Sequence, residues 1–390
     1  MFYCFKEGFM RKHYRLMIPG PIEVEPDVLA RMSDPLAAHY GARWVEIFNE
    51  TVENIKRIMG TEGDVVLLVG SGHTANDTVI NSLFTEGDSV LVFDNGIFGS
   101  RLDDIARGFR LRVTHVKKPW GVPFCAADVE EAVANHNDLK ALLIVHGETS
   151  TGVANPIREI AKAAKSNGLM VVVDTIASLG GEPYKMDEWG IDVTTCASQK
   201  ALEAPAGLGI IGLNDRAWTA VDAKMDKRGW MGDLNVWRHH MTTLAEFHPH
   251  PGTMPVNTVN ALRESTRLIL DEGLDARWER HDRIARIVRK GARSMGLNVL
   301  ADDETASRNL TVILSEGRFV PAELSAYMKE AYGMHIGLGL WEWADKAVRI
   351  GHMGPNANLE AMVPFLVGTE QFLRKSGNNV ARGSCLAGLD

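Results

Sequence analysis

Short, almost wholly apolar segments alternate with helical patterns between residues 65 and 200, and this alternation limits the possible folds more than any other feature of the chain. The segments predicted as strands cover residues 65–69, 89–93, 111–116, 141–145, 169–173 and 193–195. Apolar strands separated by helices are typical of a mostly parallel sheet that helices cover on both faces. The sequence therefore predicts an α/β fold, whose ligands are expected to bind at the carboxyl ends of the strands.

Five chemically useful side chains come shortly after these strands and are expected to meet in one crevice. They are Ser71, Phe98, Thr149, Asp174 and Lys200. Lys200 is the most informative of them, because it follows a buried strand and is flanked by small residues. Burial lowers the pKa of a lysine, and a neutral amine is what a Schiff base with an aldehyde requires. An ordinary solvated lysine at a strand end is the alternative.

Each of the other candidates also has a structural alternative. The turn at 70–74, Gly-Ser-Gly-His-Thr, suits an anion, because a helix N-terminus presents free N–H groups; a plain turn is the alternative. Asp174 suits the protonated nitrogen of a pyridine ring, or a helix cap. Phe98 suits stacking on an aromatic ring, or core packing. Arg349 lies inside an apolar run and suits a substrate carboxylate, or a structural salt bridge.

Composition disfavours several classes of partner. The 390 residues carry a formal charge of −8, which argues against nucleic acid. No apolar run approaches the roughly 18 residues that a membrane span needs, and the N-terminus lacks the apolar stretch of a signal peptide. The four cysteines have neither a CxxC pair nor the Cys/His spacing of a zinc site. They are interpreted as reduced thiols of a cytoplasmic protein, and no metal is predicted.

The length of 390 residues suggests two domains. The predicted boundaries give an N-terminal arm (or a misassigned start) at 1–21, a large domain at 22–271 and a smaller α+β domain at 272–390. Residues 215–255 are rich in Trp, His and Met and are interpreted as irregular cover for a site or as a subunit contact. Asn155 is predicted to cap the helix that begins at Pro156. The predicted strands of the smaller domain are 298–300, 310–314 and 348–350.

An anion-binding turn, a stacking aromatic, an aspartate, a lysine and a carboxylate-binding arginine are together the parts of a pyridoxal-phosphate enzyme. Six stretches carry a more specific resemblance, at 70–73 (GSGH), 95–99 (NGIFG), 146–152 (HGETSTG), 173–181 (VDTIASLGG), 198–202 (SQKAL) and 349–351 (RIG). The chain thereby resembles the class V aminotransferases of fold type I, most of all the alanine–glyoxylate and serine–glyoxylate group. That resemblance implies a large domain with a mostly parallel seven-stranded sheet and a smaller α+β C-terminal domain.

The resemblance also implies roles for particular residues. Lys200 would hold pyridoxal 5'-phosphate as an internal aldimine and move protons, and Asp174 would pair with its pyridine nitrogen. The other expected cofactor contacts are Ser71, Gly72, His73 and Gln199 at the phosphate, Thr149 near the ring hydroxyl, Phe98 and Ile176 on the two ring faces, and Thr253 at the phosphate of the neighbouring subunit's cofactor. Arg349 would bind the substrate carboxylate, and Tyr40 would line the substrate pocket. A homodimer with shared active sites, or a tetramer, is implied.

The chain departs from the family pattern at three places. Phe98 stands where tryptophan is common, although a phenyl ring can still stack. His250 stands where a tyrosine from the partner subunit usually approaches the phosphate, and its imidazole is expected to take that contact. The run at 351–355, Gly-His-Met-Gly-Pro, is similar to that of pyridoxamine–pyruvate aminotransferase. That relative lacks the Ser-Gly-His phosphate turn, which this chain keeps, so bound pyridoxal phosphate is the expectation.

The function predicted from these residues is a two-step transaminase that moves an amino group from a small amino acid to a 2-oxo acid, glyoxylate or pyruvate. Pyridoxamine–pyruvate aminotransferase is one alternative, and a cysteine desulfurase or β-lyase on the same fold is another. A desulfurase needs a mobile cysteine at the site, and neither Cys196, inside a strand, nor Cys385, in the tail, is well placed for that. A non-catalytic scaffold is a third alternative, which the joint presence of Lys200, Asp174 and Arg349 disfavours.

Overall fold

A computed structural model describes residues 13–224, 226 and 229–389. The first twelve residues of the predicted N-terminal arm, with Cys4, lie outside the described part. The strands are β1 (Arg15–Met17), β2 (Asp64–Val69), β3 (Ser89–Asp94), β4 (Arg112–Lys117), β5 (Leu139–Val145), β6 (Gly147–Glu148), β7 (Val153–Ala154), β8 (Met170–Asp174), β9 (Val193–Ala197), β10 (Leu208–Leu213), β11 (Leu310–Leu314), β12 (Met334–Leu338) and β13 (Ala347–Gly351).

The α-helices surround these strands in the sequence. They are α1 (Pro26–Ala30), α2 (Ala42–Met59), α3 (Gly72–Leu83), α4 (Ile97–Gly108), α5 (Ala126–Asn135), α6 (Ile157–Ser166), α7 (Asp215–Ala223), α8 (Leu234–Thr243), α9 (Val256–Glu272), α10 (Leu274–Ser294), α11 (Pro321–Tyr332) and α12 (Leu359–Lys375). Short 3-10 turns lie at Arg31–Ser33, Trp341–Trp343, Gly354–Asn356 and Ser384–Leu386.

A seven-stranded sheet forms the centre of the molecule, in the order β2-β10-β9-β8-β5-β3-β4. Its strands run parallel except for β10, which is antiparallel to both β2 and β9. The mostly parallel α/β sheet predicted from the sequence is thereby confirmed. Strand β10 was not among the predicted strands, because Gly209 and Gly212 interrupt its apolar run. A Cβ at Gly212 would collide with Sδ of Met59 on α2, so glycine is needed where this helix packs against the sheet.

Helices cover both faces of the sheet because its strands are apolar on both sides. Side chains of α2, α5, α6 and α9 pack on one face, and side chains of α3, α4, α7 and α8 pack on the other. Helices α7 and α8 form nearly half of the Trp-rich stretch at 215–255, so that part packs on the sheet and is not irregular cover. Trp218 of α7 and Trp237 of α8 are buried, and they bury their rings in the core on the second face.

Asn155 joins the end of β5 to the loop before α5 instead of capping α6, so the predicted cap is wrong. Helix α6 begins at Ile157, and Pro156 precedes it without a side-chain cap. The Asn155 amide donates to the carbonyl oxygen of Val145 over 2.8 Å. Its Oδ1 accepts from the backbone N–H of Phe124 over 3.0 Å. A buried amide with these partners satisfies main-chain groups that the sheet itself leaves open.

A second, four-stranded sheet has the order β1-β12-β13-β11. The N-terminal strand β1 pairs in parallel with β12, so Arg15–Met17 belongs to this smaller sheet although it lies far away in the sequence. Its core includes Met17 of β1, Val348 of β13 and Phe365 of α12. The predicted strand at 298–300 is reduced to one bridge between Val299 and Ile313. The chain bends between α9 and α10 at Gly273, and the domain boundaries at 21 and 271 remain predictions.

No helix in the described part of the chain combines the length and the hydropathy that crossing a bilayer requires.

The packing of β1 leads to a test of stability. Met17 is fully buried in the core of the smaller sheet, and Met32 is 38% exposed. We expect Met17→Ala to lower the apparent free energy of unfolding by about 2–5 kcal/mol, because the truncation leaves a cavity. Met32→Ala, the matched control, should change it by no more than about 0.5 kcal/mol. Urea denaturation followed by circular dichroism measures both, and equal midpoints for the two variants would show that β1 contributes nothing to the core.

Candidate active site

Lys200 lies in the turn after β9, at the carboxyl end of the large sheet, and it is half-buried. Its Nζ donates a hydrogen bond to the carbonyl oxygen of Pro19 over 2.6 Å. Pro19 follows β1, so the N-terminal segment passes directly over the amine. This contact joins residues 181 positions apart, and no local pattern in the sequence indicated it.

The surroundings of Lys200 favour the neutral amine. Burial lowers the pKa of its ammonium group to about 8, and the nearby positive charge of Arg349 acts in the same direction. The carboxylate of Asp174 opposes both effects. A substantial fraction of the amine is therefore unprotonated at mildly alkaline pH, which is the form that attacks a carbonyl carbon. The interpretation of Lys200 as an ordinary solvated lysine does not fit this environment.

Asp174 ends β8, and its buried carboxylate is held at both oxygens. Oδ1 accepts from the backbone N–H of Ile176 over 2.9 Å, and Oδ2 accepts from the Asn76 amide over 2.9 Å. Burial raises the pKa of this carboxyl group, while the two hydrogen bonds and the charges of His73 and Lys200 lower it. A buried carboxylate near cations is suited to pairing with a protonated nitrogen.

Asn76 is a site residue that the sequence analysis missed. It lies on helix α3 and not at the end of a strand. Its Oδ1 accepts from the Thr195 hydroxyl over 2.6 Å. That bond fixes which end of the amide faces Asp174, so the N–H₂ group points at the carboxylate. The signal that could have found it is a buried amide on the first turns of the helix that starts at Gly72.

The N-terminus of α3 forms an open polar corner beside the lysine turn. Ser71 is exposed and forms a capping box with Thr74, which satisfies the backbone N–H of Thr74, while the N–H groups of Gly72 and His73 have no partner within the helix. A Cβ at Gly72 would collide with Cδ1 of Ile176, so only glycine lets the helix start this close to β8. The His73 and Phe98 rings lie 6.2 Å apart between centroids. Open N–H groups at the start of a twelve-residue helix are suited to binding an anion.

Gln199 precedes Lys200 and is half-buried. Its Oε1 is buried and has no hydrogen-bond partner among the described residues. The two ends of an amide exchange by rotation about one bond, so this side chain can present either a donor or an acceptor to a ligand. An unpartnered buried amide atom costs free energy until a ligand or water satisfies it.

Glu148 is the second site residue that the sequence analysis missed, although its motif was part of the resemblance. The fully buried carboxylate accepts from the backbone N–H groups of Phe98 and Gly99 and from the backbone and hydroxyl of Ser150, over 2.6–3.1 Å. Burial raises its pKa to about 7, against the effect of these donors. Because it binds the first turn of α4, Glu148 fixes the position of Phe98 at the edge of the sheet.

Arg349 reaches the same edge from β13 of the smaller sheet and is half-buried. Its Nε donates to the carbonyl oxygen of Leu338 over 2.8 Å, and its Nη1 donates to that of Thr149 over 3.2 Å. Burial lowers the pKa of the guanidinium to about 10, and the charge of Glu148 opposes that shift. Within the described residues no carboxylate forms an ion pair with it, so the structural salt bridge is not its role there. Its Nη2 remains free of protein partners in that part of the chain.

Tyr40 and Thr253 lie on the outside of the chain, away from these groups. Tyr40 is 51% exposed and its ring contacts those of His39 and Phe247. Thr253 is also exposed. Among the described hydrogen bonds and ring contacts, neither residue touches Lys200, so a single chain does not bring all of the predicted site residues together.

His250 is fully buried, and both of its ring nitrogens are already occupied. Nε2 accepts from the indole N–H of Trp44 over 2.8 Å, and Nδ1 faces the carbonyl oxygen of Gly252 at 2.7 Å. Burial lowers its pKa to about 4, so the imidazole is neutral near pH 7. In the single chain the ring has no free N–H to donate, because it holds the loop before Thr253, and the phosphate contact of His250 remains a prediction.

The chain is similar to proteins of one family over most of its length. Residues 33–340 match the family described as Aminotransferase class-V. The alanine–glyoxylate aminotransferase of Rattus norvegicus is 33% identical over 352 residues, 88% of this chain and 84% of the rat protein. The solved ureidoglycine–glyoxylate aminotransferase of Bacillus subtilis superposes with a TM-score of 0.90 at 29% identity, covering 97% of both chains. The pyridoxamine–pyruvate aminotransferase of Mesorhizobium loti gives 0.91 at 25% identity, covering 98% of both.

The pKa of Lys200 is directly testable. In the cofactor-free protein we expect trinitrobenzenesulfonate to label Lys200 with a midpoint near pH 8, because only the neutral amine reacts. Exposed Lys162, read from the same peptide map, serves as the internal control. Arg349→Met removes a nearby positive charge and should move the midpoint upwards. Identical pH profiles for Lys200 and Lys162 would mean that the amine is solvated.

Proposed function

Because this chain belongs to the class V aminotransferase family, we propose that it moves an amino group from a small amino acid to glyoxylate or pyruvate by means of pyridoxal phosphate held at Lys200. The observation that carries the proposal is the joint position of three groups at one sheet edge. Lys200 has a lowered pKa, Asp174 is a buried carboxylate, and Arg349 is a guanidinium without a carboxylate partner in the described part of the chain.

The residues at this edge fit pyridoxal phosphate. The start of α3 offers N–H groups for a phosphate, and the buried amide of Gln199 has an unpartnered atom within the described residues. The carboxylate of Asp174 is buried near His73 and Lys200 and suits a protonated ring nitrogen. Ser71, Gly72, His73 and Gln199 are assigned to the phosphate, Thr149 to the ring hydroxyl, and Phe98 and Ile176 to the ring faces. When bound, the cofactor supplies an aldehyde and an electron-withdrawing ring.

The protein groups have separable tasks in this reaction. The amine of Lys200, with a pKa of about 8, would hold the cofactor through its aldehyde when neutral, and would take the proton from the α-carbon of the amino donor and return it at the cofactor carbon. Arg349 orients the substrate, because a guanidinium binds a carboxylate through two parallel hydrogen bonds. Its existing bonds to Leu338 and Thr149 fix the plane of the guanidinium before substrate arrives. Asn76 holds Asp174 in place, and Glu148 holds Phe98 in place.

The acceptor is inferred from the relatives. The names of the rat and Bacillus subtilis proteins specify glyoxylate as the amino acceptor, and that of the Mesorhizobium loti structure specifies pyruvate. Similarity to the last protein also makes free pyridoxamine a second candidate donor. The sequence likeness at 351–355 is weak support for that alternative. His352 in this run is fully buried and bonded to Thr311 over 2.8 Å, so it is a core residue.

Cys196 and Cys385, the two cysteines weighed for the desulfurase alternative, are both unsuited to act as its nucleophile. Cys196 is buried within β9, and burial raises the pKa of its thiol to about 12. Cys385 is buried beside Glu370, and its pKa is raised to about 12 as well. A thiol with so high a pKa is not a thiolate near pH 7. The described cysteines are unpaired, which agrees with the proposed cytoplasmic location.

A homodimer with shared active sites is part of the proposal. Tyr40 and Thr253 are exposed in the single chain, where they contact none of the groups around Lys200 that the structure describes. Large apolar side chains are exposed in the same region, including Trp230 and Phe247 at 56% each. Exposed apolar area of this kind is typical of a surface that another subunit covers. Thr253 would then reach the phosphate, and Tyr40 the substrate, in the partner's site.

The proposed activity is tested by a matrix of donors and acceptors. Alanine, serine, aspartate, ureidoglycine and free pyridoxamine are each paired with glyoxylate and with pyruvate, and the amino acid formed is measured. We expect turnover with at least one small amino acid, and a loss of about 10²–10⁴-fold or more in Lys200→Ala, because proton transfer by the amine is removed. Lys162→Ala is the matched control and should keep full activity. Absence of amino transfer in every pair, or equal rates in Lys200→Ala, would refute the proposal.

Sharing of sites between subunits is tested by mixing two variants. Lys200→Ala alone lacks the amine, and Thr253→Ala alone is expected to bind the phosphate more weakly. If each site takes Lys200 from one chain and Thr253 from the other, a mixed dimer has one intact site and one site that lacks both residues. Each mixed dimer should therefore regain pyridoxal-phosphate affinity and turnover at one of its two sites. The unmixed variants, denatured and reassembled separately, are the controls. Activity equal to the average of the two separate variants would show that each chain completes its own site.

A further inference from the structure

Three histidine side chains outside the Lys200 edge converge on one point. His39 lies in the loop before α2, and His248 and His250 follow α8. One nitrogen atom from each ring lies within 4.8 Å of the other two. The rings of His248 and His250 are 4.5 Å apart between centroids, and those of His39 and His248 are 5.2 Å apart. Nothing in the linear spacing of these residues predicts this grouping, because the first is 209 positions from the second.

We propose that this cluster, which we call the three-histidine site, binds a divalent transition-metal ion of the Zn²⁺ class. Nδ1 of His39 and Nε2 of His248 are 3.2 Å apart. Two imidazole nitrogens bound to one tetrahedral Zn²⁺ at about 2.0–2.1 Å each are about 3.3–3.4 Å apart. An ion can therefore replace the proton that these two nitrogens share without moving either ring far.

The charge state of the cluster also suits a metal. Ligand imidazoles must be neutral, since a protonated ring has no lone pair to offer. Burial and the nearby rings of His39 and His240 lower the pKa of His248, and burial lowers that of His250 to about 4. Imidazole nitrogen suits Zn²⁺, Co²⁺, Ni²⁺ and Cu²⁺, whereas Mg²⁺ and Ca²⁺ need oxygen ligands.

His250 is oriented as a metal-bound histidine is. Its Nδ1 lies 2.7 Å from the carbonyl oxygen of Gly252, and a backbone carbonyl that accepts from the second ring nitrogen is the usual outer partner of a metal-binding histidine. The remaining nitrogen, Nε2, accepts from Trp44 in the metal-free chain. Coordination of His250 exchanges that indole hydrogen bond for the ion, so Trp44 reports on occupancy. His39 and His248 are half-buried, which leaves the site open to solvent on one side.

The ion would join two segments that the proposed function uses. His39 adjoins Tyr40, and His248 and His250 precede Thr253, so an ion fixes both exposed residues relative to each other. This consequence rests on the proposed function, whereas the metal site itself does not. Failure of the transaminase test would leave the binding test below unchanged.

Metal binding is measured on tag-free, chelator-treated full-length protein titrated with Zn²⁺ against a chromophoric chelator, and with Co²⁺ for its visible spectrum. We expect one ion per chain and the intense visible bands of tetrahedral Co²⁺. Loss of a group that only hydrogen-bonds a metal ligand weakens metal affinity by about 10–100-fold. His39→Ala and His248→Ala each remove a ligand and should therefore weaken Zn²⁺ binding by more than that. His239→Ala is the matched control, because this exposed histidine lies on α8 outside the cluster. It should bind as the wild type does.

Protection from chemical modification supplies a measurement that needs no variant to fold. Zn²⁺ should shield His39 and His248 from diethyl pyrocarbonate, while His239 stays reactive, and it should change the fluorescence of the wild type but not that of Trp44→Phe. Absence of stoichiometric binding by the wild type would overturn the proposal. Binding that survives in both His39→Ala and His248→Ala, or equal modification with and without Zn²⁺, would also overturn it.

Discussion

The removal of one amine from water is the constraint on which the rest of the site depends. Lys200 is held at the end of β9 with its pKa lowered to about 8, and three separate parts of the chain produce that environment. The large sheet supplies Asp174, the smaller sheet supplies Arg349, and the N-terminal segment supplies the carbonyl oxygen of Pro19. Burial of the ammonium group without partners would cost free energy. The carbonyl oxygen of Pro19 accepts its hydrogen bond and the carboxylate of Asp174 opposes its charge, while the lowered pKa leaves the amine partly neutral.

The two buried carboxylates of the site are satisfied in different ways, and the difference follows from their tasks. Glu148 accepts from four donors, three of them on main-chain nitrogen, so it is a structural group that fixes the start of α4. Asp174 accepts from one main-chain N–H and one amide and keeps capacity for a further donor. A ligand cation can pair with Asp174 at little cost, whereas Glu148 is already occupied. Asp174 is thus available to a ligand, whereas Glu148 supports the structure of the site.

The sequence was sufficient for the features that depend on local patterns and insufficient for those that depend on distant contacts. Apolar runs found six strands of the large sheet, and the residues after them included Asp174 and Lys200, because parallel strands end at one edge. Strand β10 was missed because its two glycines are explained by close packing rather than by strand propensity: Gly209 lies against the backbone of Ser71, and Gly212 lies against Met59 of α2. Asn76 and Glu148 were missed because their importance lies in partners 98 and 50 residues away. His250 was assigned by resemblance to the phosphate, and only its burial beside Trp44 revealed that both nitrogens were taken.

The pairing of β1 with β12 makes the N-terminal segment a direct link between the smaller sheet and Lys200. The chain leaves the smaller sheet at Met17 and, two residues later, places the carbonyl oxygen of Pro19 on the amine of the large domain. So short a tether has almost no slack. If the smaller sheet tilted relative to the large sheet, either the hydrogen bond between the Pro19 carbonyl oxygen and Nζ of Lys200 would lengthen, or the backbone between Met17 and Pro19 would be strained. The pKa of Lys200 is thereby coupled to the position of the smaller sheet, and a reagent that titrates this amine also reports on that position.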